Sequence, residues 1–207
     1  MLEDKTFLDI LRIITQKSTC SFFKTGALVV KDNRIVSMGY NGTPSGFPQC
    51  NELQEFLEFV EQKKYDIGRV CSQFGIGQVI SEFKNKFSYF RKYTPNFLDF
   101  FQDKLQESIK TIIASEEKVD FYSLNFIHSR YEVHAEQNAI AFSLKAGTNI
   151  SGSTLYTTLL PCMECAKLIV ASGINRVVYI EDYEDKRFRE TSENFLKING
   201  VLVEKGG

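Results

Sequence analysis

The tripeptide His134-Ala135-Glu136 and the pentapeptide Pro161-Cys162-Met163-Glu164-Cys165 constrain this chain more than any other feature, because their side chains act together only if two separate segments start helices at one point. Cys162 and Cys165 are three residues apart and share one face of a helix. Pro161 suits a helix start, where unpaired N–H groups and the positive end of the dipole favour the deprotonated, metal-binding thiolates. That helix is expected to span 162–172 and to stop at Gly173, and His134 is expected to open another over 134–145, stopped at Gly147. One imidazole and two thiolates leave the fourth position of a tetrahedral zinc open for water, as in a catalytic site. Glu136, two residues past His134, points in a different direction from it and is expected to face the open position as a proton carrier, not as a ligand.

The spacing H-x-E with P-C-x-x-C is the signature of the zinc-dependent nucleobase deaminases, in which an acidified water attacks the amino-bearing carbon of cytosine or adenine and the glutamate moves the protons. The competing uses of these residues are a purely structural zinc and a redox dithiol at Cys162 and Cys165. A structural site more usually takes four protein ligands and has no need of Glu136.

Around these motifs the periodicity alternates between helix and strand. An amphipathic first helix carries Phe7, Leu8, Leu11 and Ile14. Thr25 to Lys31 and Arg34 to Gly39 read as strands joined by the hairpin signal Asp32-Asn33, and a glycine-rich loop, Gly39 to Gly46, follows. Thr154 to Thr158, Arg176 to Glu181 and Val201 to Glu204 supply three more strands, alternating with helices at 134–145, 162–172 and 188–198. This pattern predicts a layered α/β domain with a mixed five-stranded sheet flanked by helices. Residues 52–127 break it: they hold 15 of the 27 aromatic residues, at helical spacing, and read as a helical insertion with a small core of its own, or as a lid or subunit interface.

Several functions are disfavoured by composition. With 25 basic and 26 acidic residues the net charge is −1, and no basic stripe marks a groove for a nucleic-acid backbone. No segment approaches the roughly 20 apolar residues of a membrane span, and the N-terminal stretch lacks the apolar core of a signal peptide. A reducing, cytoplasmic location is expected, with cysteines serving metal and not disulfides.

Several blocks in order, Gly26-Ala27, Gly39-Tyr40-Asn41-Gly42-Thr43-Pro44-Ser45-Gly46, His134 to Ile140, and Leu155-Tyr156-Thr157-Thr158 leading to Pro161 through Lys167, resemble the deoxycytidylate deaminase family, its phage-type members included. The likeness covers 5–51 and 128–204. It implies a cytidine-deaminase-like fold, conversion of dCMP to dUMP with release of ammonia for thymidylate synthesis, and a zinc held by His134, Cys162 and Cys165 with Glu136 as the catalytic acid and base. It also implies a homo-oligomer, in many members a hexamer, activated by dCTP and inhibited by dTTP. The phage-type members carry a second, structural zinc whose ligand pattern is matched by Cys20, Cys50, His128 and Glu132; the alternative is that the two cysteines are small buried apolar groups and His128 a surface residue.

In relatives an asparagine at the position of Asn41 contacts the nucleoside, and the same loop is associated with the effector nucleotide. A neutral amide that both donates and accepts suits either use, while a simple turn residue is the alternative. Gly42, Thr43 and Ala135 join Asn41 as candidate substrate or effector contacts. Lys24, Lys145 and Tyr183 are further candidates, the lysines for the phosphate. Two rival functions share parts of this pattern: a deaminase of tRNA or single-stranded nucleic acid, and an inactive zinc scaffold that binds nucleotides.

Overall fold

The computed structural model describes residues 2–47, 49–52, 54, 55, 58, 128, 130–182 and 186–206, with backbone alone for 186–190. The expected insertion at 52–127 lies almost wholly outside the described residues, as does Tyr183. The chain divides into two compact units, one formed by Met1–Gly42 with Val133–Gly207 and the other by Thr43–Glu132.

In the first unit the order is α1 (Asp4–Thr15), β1 (Gly26–Lys31), β2 (Arg34–Tyr40), α2 (Ala135–Lys145), β3 (Thr154–Leu159), α3 (Met163–Ala171), β4 (Arg176–Glu181), α4 (Lys186–Ile198) and β5 (Leu202–Lys205). The strands form one sheet in the order β2-β1-β3-β4-β5. β1 runs antiparallel to both β2 and β3, whereas β3, β4 and β5 are parallel, so the sheet is mixed, as the alternation of elements requires. Asp32 and Asn33 both take positive φ, 49° and 60°, the geometry of a two-residue hairpin turn that matches the twist of the strands. Expected and observed element ends differ by one or two residues.

Each face of the sheet is covered. α1 lays Phe7, Leu8 and Leu11 on Leu28, Val30, Tyr156 and Val178. On the other face Ala135, Ala139 and Ile140 of α2, Ala166 and Ile169 of α3 and Leu196 of α4 pack on Ala27, Val29, Leu155 and Val177. The N-terminus of α1 is further tied to the strands by Asp4, which accepts hydrogen bonds from Tyr156 and Arg176, while Arg176 also reaches Glu204 on β5 at 2.7 Å. The bond from Arg176 holds the Asp4 carboxyl down at about 2, against an ordinary value of 3.8. What this pair adds to stability is therefore full above pH 3.8 and fades as pH falls towards about 2. No helix among the described residues is long and apolar enough to cross a membrane.

α2 sits unusually low on β2. A Cβ at Gly39 would fall 2.3 Å from Ala135 O and 2.5 Å from Ala139 N, and Ser37 Oγ donates to Ala139 O at 2.6 Å. Glycine is needed here for close approach, because any side chain would lift the helix that begins after His134. Gly39→Ala is expected to destabilise the fold by about 1–3 kcal/mol in urea unfolding and to weaken zinc retention during dialysis against a chelator.

Candidate active site

His134 is the N-cap of α2 and Cys162 the N-cap of α3, with Cys165 in the first turn of α3. The Gln137 side chain accepts the His134 backbone N–H at 3.0 Å and fixes the helix entry. Two helix starts thereby meet: His134 Nδ1 lies 3.5 Å from Cys162 Sγ and 3.4 Å from Cys165 Sγ. A tetrahedral zinc with its usual bond lengths to nitrogen and sulfur separates such atoms by about 3.6 Å. The three side chains thus fit zinc in both donor type and spacing, and their ligand atoms all lie within 4.8 Å of one another. The Cys162 thiol is held well below its ordinary range, chiefly by the hydrogen bond from Cys165 and then by His134. Cys165, as donor of that bond and buried, is pushed up.

Glu136 is only 5 % exposed, and burial is the main cause that pushes its carboxyl up. Its Oε2 lies 3.6 Å from Cys165 Sγ, and its Oε1 is 3.3 Å from Thr157 Oγ1 on β3. The carboxyl therefore overlooks the histidine-cysteine cluster. Ala135, fully buried at the first position of α2, places a helix-start N–H in the same neighbourhood.

The loop after β2 is fastened to the segment that leads into α2 by a backbone bridge. Gly42 N donates to Val133 O at 3.3 Å and Val133 N to Gly42 O at 3.0 Å, one residue before His134. Asn41 is 3 % exposed, and its amide is largely committed within the protein. Its Oδ1 accepts from Ser18 Oγ at 2.6 Å and from Thr25 N at 2.8 Å, and its Nδ2 donates to Phe23 O at 2.7 Å. Asn41 thus ties residues 18–25 to the loop, and its side chain has more to do than hold a turn. Ser18 escaped sequence reasoning because nothing local marks a serine whose partner is 23 residues away. Cys20 is buried, and its Sγ accepts the backbone N–H groups of Phe22 and Phe23, both at 3.3 Å.

The lysines are placed differently. Lys24 is exposed next to Phe23, whose carbonyl receives the Asn41 amide. Lys145 is exposed at the far end of α2, about 16 Å along the axis from His134 at 1.5 Å per residue.

The second unit has its own cluster. Glu132 Oε2 is 2.6 Å from His128 Nδ1 and 3.6 Å from Cys50 Sγ. Thr43 of the loop, buried, accepts from Gln49 Nε2 at 3.1 Å through its carbonyl, and the rings of Phe47 and Tyr131 stack at 4.8 Å.

Comparison with known proteins gives this arrangement a context. Residues 1–181 match the family model described as the cytidine and deoxycytidylate deaminase zinc-binding region. The chain is 30% identical to the deoxycytidylate deaminase of enterobacteria phage T2 over 90% of its length and 84% of the relative's. It is 31% identical to that of phage T4 over 90% and 81% of the two chains. Among solved structures, the dCMP deaminase of cyanophage S-TIM5, crystallised with dCMP and dUMP, superposes over the full length of both chains with a TM-score of 0.57 at 22% identity. This likeness establishes a common layered fold.

Removing the Asn41 amide strands buried partners on Ser18 and Thr25. Asn41→Ala is expected to lower stability by about 1–3 kcal/mol in urea unfolding, whatever it does to turnover.

Proposed function

The chain belongs to the cytidine and deoxycytidylate deaminase family, and from that premise we propose that it converts dCMP and water to dUMP and ammonia. The observation that carries this reading is the meeting of His134 Nδ1 with two cysteine sulfurs at 3.4 and 3.5 Å beside a buried glutamate. His134, Cys162 and Cys165 would hold the zinc, which when bound supplies a water acidic enough to lose a proton near neutral pH. Glu136 takes one proton from the water and delivers it to the ring nitrogen beside the amino-bearing carbon, then takes the second from the newly added hydroxyl and passes it to the departing ammonia. Burial favours the protonated carboxyl and so eases its uptake of the proton. The deoxycytidylate specificity rests on the phage relatives and on the Asn41-Gly42 loop, which is bridged to Val133 immediately before the catalytic histidine.

The same proposal includes a second, structural zinc with Cys50, His128 and Glu132 among its ligands and Cys20 as the fourth. It is supported by the short contacts of Glu132 to His128 and Cys50 and by the two N–H groups directed at Cys20 Sγ. It further includes a homo-oligomer, consistent with exposed Phe142, Leu144 and Ile198, and control by dCTP and dTTP.

Ammonia release from dCMP, dCTP, deoxycytidine and a short single-stranded oligonucleotide tests the substrate. Turnover of dCMP is expected, and activity confined to the oligonucleotide would refute the mononucleotide reading. Glu136→Gln should lower kcat by about 10²–10⁴-fold while retaining zinc. Metal analysis of the parent should find about two zinc ions per chain, falling to about one in Cys50→Ala; about one in the parent would refute the second site.

A further inference from the structure

We propose that Thr157 is a positioning residue for Glu136, its hydroxyl holding one carboxylate oxygen so that the other faces the reacting centre. The inference rests on the deaminase reading above, since it assigns Glu136 its proton-carrying role. β3 is an interior strand, with β1 and β4 on either side, and Thr157 stands opposite Ala27 and Tyr179 in the register. Thr157 is fully buried, as is Leu155 two residues earlier on the same face of the strand, which packs into the core beneath α2 and α3. Valine would fill that place with the same shape and no need of a partner, so a hydroxyl there is costly unless it is bonded. The hydrogen bond it makes is to Glu136 Oε1, at 3.3 Å.

The direction of this bond gives it a function beyond satisfying the hydroxyl. Oε1 is gripped from the sheet, while Oε2 of the same carboxyl is turned towards Cys165 Sγ, 3.6 Å away, and so towards the metal cluster. A proton carrier that serves a water and then a ring nitrogen must present one oxygen in a fixed place, and rotation about the last side-chain bond would remove it. The neighbouring Thr158 is used differently. Its hydroxyl accepts from Gly26 N at 2.7 Å and lies 3.2 Å from Thr15 Oγ1, on the face covered by α1. Adjacent threonines on one strand therefore serve opposite faces, one securing a helix and the other the carboxylate.

The test compares Thr157→Val and Thr157→Ser in the zinc-loaded protein. Loss of a hydrogen bond to a charged group is expected to lower kcat about 10- to 100-fold in Thr157→Val, with KM and zinc content unchanged and the melting temperature kept. Thr157→Ser, which restores the hydroxyl, should recover most of kcat. An unchanged kcat in Thr157→Val, a loss that appears in KM instead, or a serine variant as slow as the valine one overturns the proposal. So does loss of zinc or of folded protein in both Thr157→Val and Thr157→Ala, because the hydroxyl would then be structural. The parent's ammonia release from dCMP is measured first. If the parent acts on another of the tested substrates, the dCMP reading falls and the Thr157 comparison is made on that substrate.

Discussion

The seating of α2 on β2 is the contact on which the rest of the site depends. Gly39 lets the helix backbone approach to a distance that no side chain would permit, Ser37 bonds its carbonyl at Ala139, and the Gly42–Val133 bridge fixes the residue before its first turn. These contacts set the height of His134 above the sheet. α3 is set independently, by the parallel crossover from β3 to β4, which brings its N-terminus to the same end of the sheet. Three ligand atoms at zinc spacing result from two helices placed by separate constraints. A half-ångström error in either would change the 3.4 and 3.5 Å separations by a like amount.

Around that cluster the polar side chains form a supporting layer. Asn41 spends its amide on Ser18, Phe23 and Thr25, which holds the segment entering β1 against the loop leaving β2. Buried amides with several partners are expensive to disturb, so this loop presents a fixed backbone next to the start of α2. Thr157 extends the same principle to the opposite side, from the sheet floor. Substrate and carboxylate would thus be held by groups whose own positions are already satisfied within the fold.

Much of this was legible in the chain. The hairpin announced itself through Asp32-Asn33, and both helix stops through Gly147 and Gly173, each at positive φ. The candidate ligand cluster of His134, Cys162 and Cys165, with Glu136 beside it, is legible because residue type and spacing within short windows carry the meaning. Lys145 illustrates the complementary case: proximity to His134 along the sequence says little about distance once eleven residues of helix intervene. Asn41 stands out by its place in the glycine-rich loop, but its partners do not, since its side chain turns inward to residues between 16 and 23 positions upstream.

The sequence by itself determined which residues can bind zinc, which acid stands apart from them, and the order of helices and strands, because helix periodicity, turn chemistry and ligand type are local properties. Only the tertiary structure decided that Gly39 admits α2 and that Thr157 faces Glu136 while Thr158 faces away. Those outcomes depend on register and packing between elements far apart in the chain, and a strand shifted by one residue would exchange the two threonines.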